Sequence, residues 1–168
     1  MAIVYLSLGS NKGDRIGYVQ QAAGLLAALD DTQIIRTSAF YETEPWNMNT
    51  KTWFVNAVLE IKTKLQPQQL LTECIRIEKQ LDRNKQDNIN YEDRTMDIDI
   101  LFYNNDIINE YNLIIPHKYV HLRAFVLVPL LELIPDYIHP VLNKNISELH
   151  NDLENPEMVF LYGTRIEI

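Results

Sequence analysis

The chain has 168 residues, 46% of them hydrophobic, and a formal net charge of -8, a profile that predicts a single globular domain over residues 1–168 with a sizeable core. The acidic balance argues against nucleic acid as a partner, because such binding draws its affinity from clustered Lys and Arg that neutralise phosphates. No apolar run approaches the roughly eighteen residues that span a bilayer, and the single cysteine, Cys74, allows neither an intrachain disulfide nor a zinc-type cysteine cluster, so the expectation is a cytoplasmic protein that does not enter a membrane; a monomer is expected, with a homo-oligomer left open.

Met1 to Leu8 reads as a first strand, since the run is too short for a signal peptide and has no basic lead. After the Gly9 to Gly13 turn, Asp14 is placed to cap a helix predicted to run to about Leu29, with Ile16, Val19, Ala23, Leu26 and Leu29 at three- and four-residue steps. Residues 33–42 and 53–62 are rich in β-branched and aromatic side chains and predict two neighbouring strands. Pro67 suits the first turn of a second helix, whose stripe Leu70, Leu71, Cys74, Ile77 and Leu81 leads towards Arg83. The polar stretch Asn84 to Glu92 ends it. Residues 95–103 predict a strand, Asn104-Asn105-Asp106 a turn, and short extended pieces follow near Ile107 and from Leu113 to Ile115, closed by Pro116. A helix from roughly His121 to Leu133, a short helix near Ile146 and a strand from Met158 to Tyr162 complete the chain. The order β-α-β-β-α-β with later additions points to an α+β fold, a ferredoxin-like αβ sandwich with a mainly antiparallel sheet and additional C-terminal elements.

Chemistry concentrates around Arg94-Thr95-Met96-Asp97-Ile98-Asp99-Ile100-Leu101. The two-residue period of a strand puts Asp97 and Asp99 on one face and Met96, Ile98 and Ile100 on the other. Paired hard oxygen ligands suit Mg²⁺ chelated to phosphates. The same pattern also describes a solvated strand face, so the surroundings have to decide. Those surroundings are cationic: Arg83, Lys85, Arg94, His117, Lys118 and Arg123 frame the carboxylates and could clamp a polyphosphate. No P-loop and no kinase glycine loop is present. His117 and His121 have a spacing that some zinc sites use, but no third ligand is near them.

Five separated motifs stand out along nearly the whole chain: Leu8-Gly9-Ser10-Asn11-Lys12-Gly13-Asp14-Arg15, Tyr41-Glu42-Thr43-Glu44-Pro45-Trp46, Phe54-Val55-Asn56-Ala57, the Arg94 to Ile100 segment, and Ile115-Pro116-His117 followed by Arg123 to Leu130. In this order they resemble the motifs of the hydroxymethyldihydropterin pyrophosphokinase family. The resemblance implies an ATP-dependent transfer of diphosphate to a reduced pterin, with AMP as leaving group. It implies that Asp97 and Asp99 bind two Mg²⁺ ions bridging the ATP phosphates, and that Arg83, Arg94, His117 and Arg123 contact phosphate oxygens with Lys85 close by. Glu78 would sit near the nucleotide, and Leu71 and Ile100 would form the adenine pocket. Phe54 and Phe125 would stack on the pterin, while Asn56 would read its edge, helped by Thr43, Glu44 and Trp46. The chain departs from the family pattern at Tyr91-Glu92-Asp93, where Trp-Gly-Pro is usual, and at Asn47-Met48-Asn49, where a Gly is common. The polar segments Thr43 to Thr52 and Asn84 to Asp93 are expected to act as lids. Two rivals stay open on the residues alone: another two-metal enzyme such as a nucleotidyltransferase, and a non-catalytic ferredoxin-like binding module.

Overall fold

The computed structural model of the chain describes residues 1–82 and 93–165. Its first strand, β1 (Ala2–Ser10), is buried along nearly all its length, as expected of an apolar run that is covered on both faces. Val4, Leu6 and Leu8 point into one core while Ile3 and Tyr5 point into another. Asp14 then accepts from the Gly17 amide at 3.0 Å and opens α1 (Arg15–Ala27). The helix stops two residues short of the predicted Leu29, where the Ala28 amide turns back onto the Gly24 carbonyl and the Leu29 amide onto that of Leu26.

The single strand predicted over 33–42 is two, β2 (Thr32–Thr37) and β3 (Ala39–Thr43). The break lies at Ser38, whose hydroxyl accepts the Val58 amide at 2.8 Å. A side chain thus takes a ladder bond and the register slips, from Thr37 opposite Leu59 to Tyr41 opposite Asn56 on β4 (Phe54–Thr63). Helix α2 (Pro67–Leu81) has Pro67 in its first turn, as predicted, and buries Leu70, Cys74 and Ile77. Burial pushes the Cys74 thiol up to about 12.

Strand β5 begins at Asp97 rather than 95 and runs to Tyr103 (Asp97–Tyr103), because Thr95 is drawn aside by a 2.8 Å bond to Asp82. The hairpin β6 (Ile108–Glu110) and β7 (Leu113–Ile115) forms a small separate sheet. The helix predicted from His121 is interrupted. A 3-10 turn covers Val120–Leu122, Arg123 is extended, and α3 starts only at Ala124 (Ala124–Leu133). Helix α4 (Ile146–Asn151) is capped by Asn145, and β8 (Val159–Arg165) follows.

Among the described residues the main sheet has six strands in the order β5-β1-β4-β3-β8, with β2 also paired to β4, and every pairing is antiparallel. This is an α+β architecture. Helices α1 and α2 cover one face over Leu6, Leu8, Ile61 and Ile98, while α3 and α4 cover the other over Tyr5, Val58, Leu101 and Phe102. No described helix is long and apolar enough to cross a membrane.

Candidate active site

The antiparallel register gathers the predicted residues at one end of the sheet. Gly9 lies opposite Asp97 on one side and Asn56 on the other, Ser7 lies opposite Asp99, and Thr43 opposite Phe54. Gly9 permits this closeness, since a Cβ there would run into Asn56 Oδ1. A cavity of about 230 Å³ opens here, lined by Thr43, Glu44, Trp46, Phe54, Asn56, Arg94, Asp97, Asp99, Arg123 and Phe125, so ten of the residues singled out in the sequence share one wall system. Ser7, Gly9, Asn47, Met48 and Tyr119 line it too. Their side chains carry no period or charge pattern that marks them in the sequence.

Asp97 and Asp99 both lie at the cavity wall, with side chains 34% and 29% exposed. Burial raises both carboxyls; Asp99 pushes Asp97 up further, and Arg94 and Arg123 oppose the shift. Arg94 pairs with Asp97 at 3.0 Å and Arg123 with Asp99 at 3.4 Å. Arg123 is enclosed by rings, its guanidinium lying 4.8 Å from the centre of Trp46, 5.2 Å from Tyr119 and 5.4 Å from Phe125. Its buried Nε has no partner among the described residues.

His117 stands behind this group, with Nε2 3.8 Å from Asp99. Burial and the neighbouring Arg123 lower its pKa to about 4. The ring is therefore neutral near pH 7, and since Nδ1 accepts the Tyr119 amide at 3.2 Å, the proton sits on Nε2. Glu78 reaches beneath β5 to accept the Ile98 amide at 2.8 Å, and burial with the two nearby aspartates pushes it up to about 7. Asn56 is buried and donates to Thr43 Oγ1 at 2.6 Å, which fixes the amide at the cavity edge.

The structure does not bring Leu71 and Ile100 to this cavity. Ile100 is buried in the core beneath the sheet and Leu71 packs against that core. Arg83 and Lys85 lie outside the described residues, as does the Asn84 to Glu92 part of the second expected lid. Asp93, which the sequence marks only as a departure, accepts from Asn11 Nδ2 at 2.9 Å and from Thr50 Oγ1 at 2.5 Å. Asn11 in turn accepts the Arg94 amide at 2.6 Å. The loop after β3 is thereby tied to the backbone that carries Arg94. Among the described residues, no group of three or more His, Cys, Asp or Glu side chains could hold a metal.

Residues 5–135 match the family model of 7,8-dihydro-6-hydroxymethylpterin-pyrophosphokinase, HPPK. The chain belongs to the HPPK family. It is 39% identical over 148 residues to the 2-amino-4-hydroxy-6-hydroxymethyldihydropteridine pyrophosphokinase of Aquifex aeolicus, covering 88% of this chain and 90% of that one. It is 36% identical over 161 residues to the enzyme of the same name from Haemophilus influenzae, covering 96% and 99%. The folic acid synthesis protein fol1 of Pneumocystis carinii is 40% identical over 166 residues, but there the match spans 96% of this chain and only 22% of the relative. Among solved structures, Plasmodium falciparum HPPK-DHPS wild type with SDX-DHP superposes with a TM-score of 0.72 at 21% identity, over 89% of this chain and 44% of that chain. That similarity shows that the HPPK architecture is shared.

Proposed function

We propose that this chain transfers the terminal diphosphate of ATP to the hydroxymethyl group of 6-hydroxymethyl-7,8-dihydropterin in folate biosynthesis, with AMP as the second product. One observation carries the reading: in a chain of the HPPK family, one cavity holds two aspartates on adjacent strand positions of one face, two arginines, a buried amide and a set of rings. Its order β1-α1-β2-β3-β4-α2-β5, which reads as β-α-β-β-α-β when the broken strand β2 and β3 is taken as one, and its sheet order β5-β1-β4-β3 support a ferredoxin-like description of the framework.

The donors fit Mg²⁺. Asp97 and Asp99 offer hard oxygens only, each raised by burial in a way that a cation would relieve. With no cluster of three or more candidate ligands among the described residues, these two carboxylates would be the protein's hold on the metal. When two Mg²⁺ ions are bound there, they neutralise the charge of the ATP phosphates. Arg94 and Arg123 are freed from the aspartates to hold phosphate oxygens, and neutral His117 donates from Nε2. Phe54 and Phe125 face the pterin ring, and Asn56 with Thr43, Glu44 and Trp46 fixes its edge. Arg83, Lys85 and Glu78 belong to the nucleotide half. The chain's contribution is alignment: the pterin hydroxyl is held in line with the β-phosphorus, and the aromatic walls exclude water.

The test is to incubate the protein with ATP, Mg²⁺ and the pterin and to separate the products by chromatography. AMP and pterin diphosphate in equal amounts are expected. Pyrophosphate would indicate attack at the α-phosphorus by a nucleotidyltransferase, and ATP binding without turnover would indicate a binding module.

A further inference from the structure

The wall that carries Phe125 and Arg123 is held by a residue far along the chain. Helix α3 begins without a side-chain cap, because Arg123 occupies the cap position and has no acceptor to offer. The first amides of the helix need an acceptor from elsewhere. The half-buried carboxylate of Glu157 supplies it, accepting the Phe125 amide at 2.8 Å, with the Ala124 amide close enough to favour its ionised form. The next residue is bound to the opposite wall: the Met158 amide donates to Glu44 Oε1 at 2.6 Å, and the Glu44 amide donates to the Met158 carbonyl at 3.0 Å. Two adjacent residues thus join the start of α3 to the loop after β3, and both joined segments line the cavity. This strap lies beyond residues 5–135, the stretch that matches the family.

We propose that Glu157 is a positioning residue for the pterin half of the site, holding the first turn of α3, and with it Phe125 and Arg123, at a fixed distance from Glu44. The proposal rests on the reaction given above. The carboxylate is suited to the task, since an anion at a helix N-terminus satisfies orphan amides and favours the helix dipole. Burial raises this carboxyl above its ordinary range, while the amides at the helix start and the charge of Arg123 oppose the shift.

Two readouts test it on the full chain with Glu157→Ala and Glu157→Gln. Amide exchange followed by NMR should show protection at Phe125 falling by about tenfold in the Ala variant, the equivalent of one lost charged cap. The KM for pterin should rise by about the same factor and the KM for ATP and kcat should change by less, because Phe125 is held directly by Glu157 and Arg123, which faces the phosphates, only through its neighbours in the chain. Glu157→Gln keeps an acceptor oxygen and should recover most of both losses. If the Ala variant does not fold, Glu157→Asp, which keeps the charge and shortens the reach, should show the same selective rise in pterin KM. An unchanged pterin KM in a folded variant would overturn the proposal, as would an equal loss in both KM values and kcat. A parent protein without turnover would count against the reaction rather than against Glu157, whose effect on amide exchange requires no catalysis.

Discussion

Asp97 and Asp99 oppose the fold that holds them. Each is raised above the ordinary carboxylate range by burial, so the folded chain binds protons there more readily than the unfolded chain does. The sign follows: their contribution to stability is most favourable below the unfolded pKa, near 4, and declines as pH rises through the folded values. Asp97→Asn removes one of the repelling charges. Its melting temperature, measured in EDTA at pH 7, should exceed the parent's, while turnover falls by at least about a hundredfold; a variant that is less stable and still active would contradict both halves. His117 titrates with the opposite consequence. Its folded pKa of about 4 lies below the ordinary 6.5, so the stability it lends is present above pH 6.5 and lost as pH falls from there towards 4. Ring nitrogen shifts in the metal-free protein should report the neutral Nε2–H tautomer at pH 6, and an imidazolium at that pH would refute the assignment. The acidic pair was legible in the sequence because strand periodicity and a family motif coincide at Asp97 and Asp99. Glu157 was not, since its partner amide at Phe125 is 32 residues away and the contact exists only after α3 and the tail have folded.

At the level of elements, the link between β1, the loop after β3 and the start of β5 depends on the side chain of Asp93. Proline in the place of Asp93 would have no carboxylate to receive Asn11 and Thr50. Asp93→Ala should therefore speed amide exchange over residues 44–53 without altering exchange in α2, and should raise the KM of one or both substrates by several-fold, of the order expected for losing one or two charged hydrogen bonds. Equal exchange in parent and variant would show that the loop is held by other means. The helices and strands themselves were largely readable, for Asp14, Pro67 and the apolar stripes mark them directly. Two boundaries were not. Propensity cannot reveal that the Ser38 hydroxyl replaces a ladder partner, or that Arg123 stays extended among three rings and delays the helix to Ala124.

Over the whole molecule, the two cores meet at β1, whose alternating side chains feed both. Leu6 is fully buried among the largest core side chains, and Leu6→Ala should cost about 2–5 kcal/mol in urea unfolding. A smaller loss would mean that the layers can close over the gap. The same depth of packing gives the chain a practical property through Cys74. With its thiol pushed up to about 12 and its side chain sealed under α2, on the order of one molecule in 10⁴ or fewer presents a thiolate at pH 7.5. The protein is in effect silent towards maleimides and iodoacetamides while folded. A cysteine introduced at exposed Lys51 would be the one site that reacts, so a fluorophore or spin label placed there could report whether the loop moves when substrates are added, with no background from the native sulfur and no need to remove it.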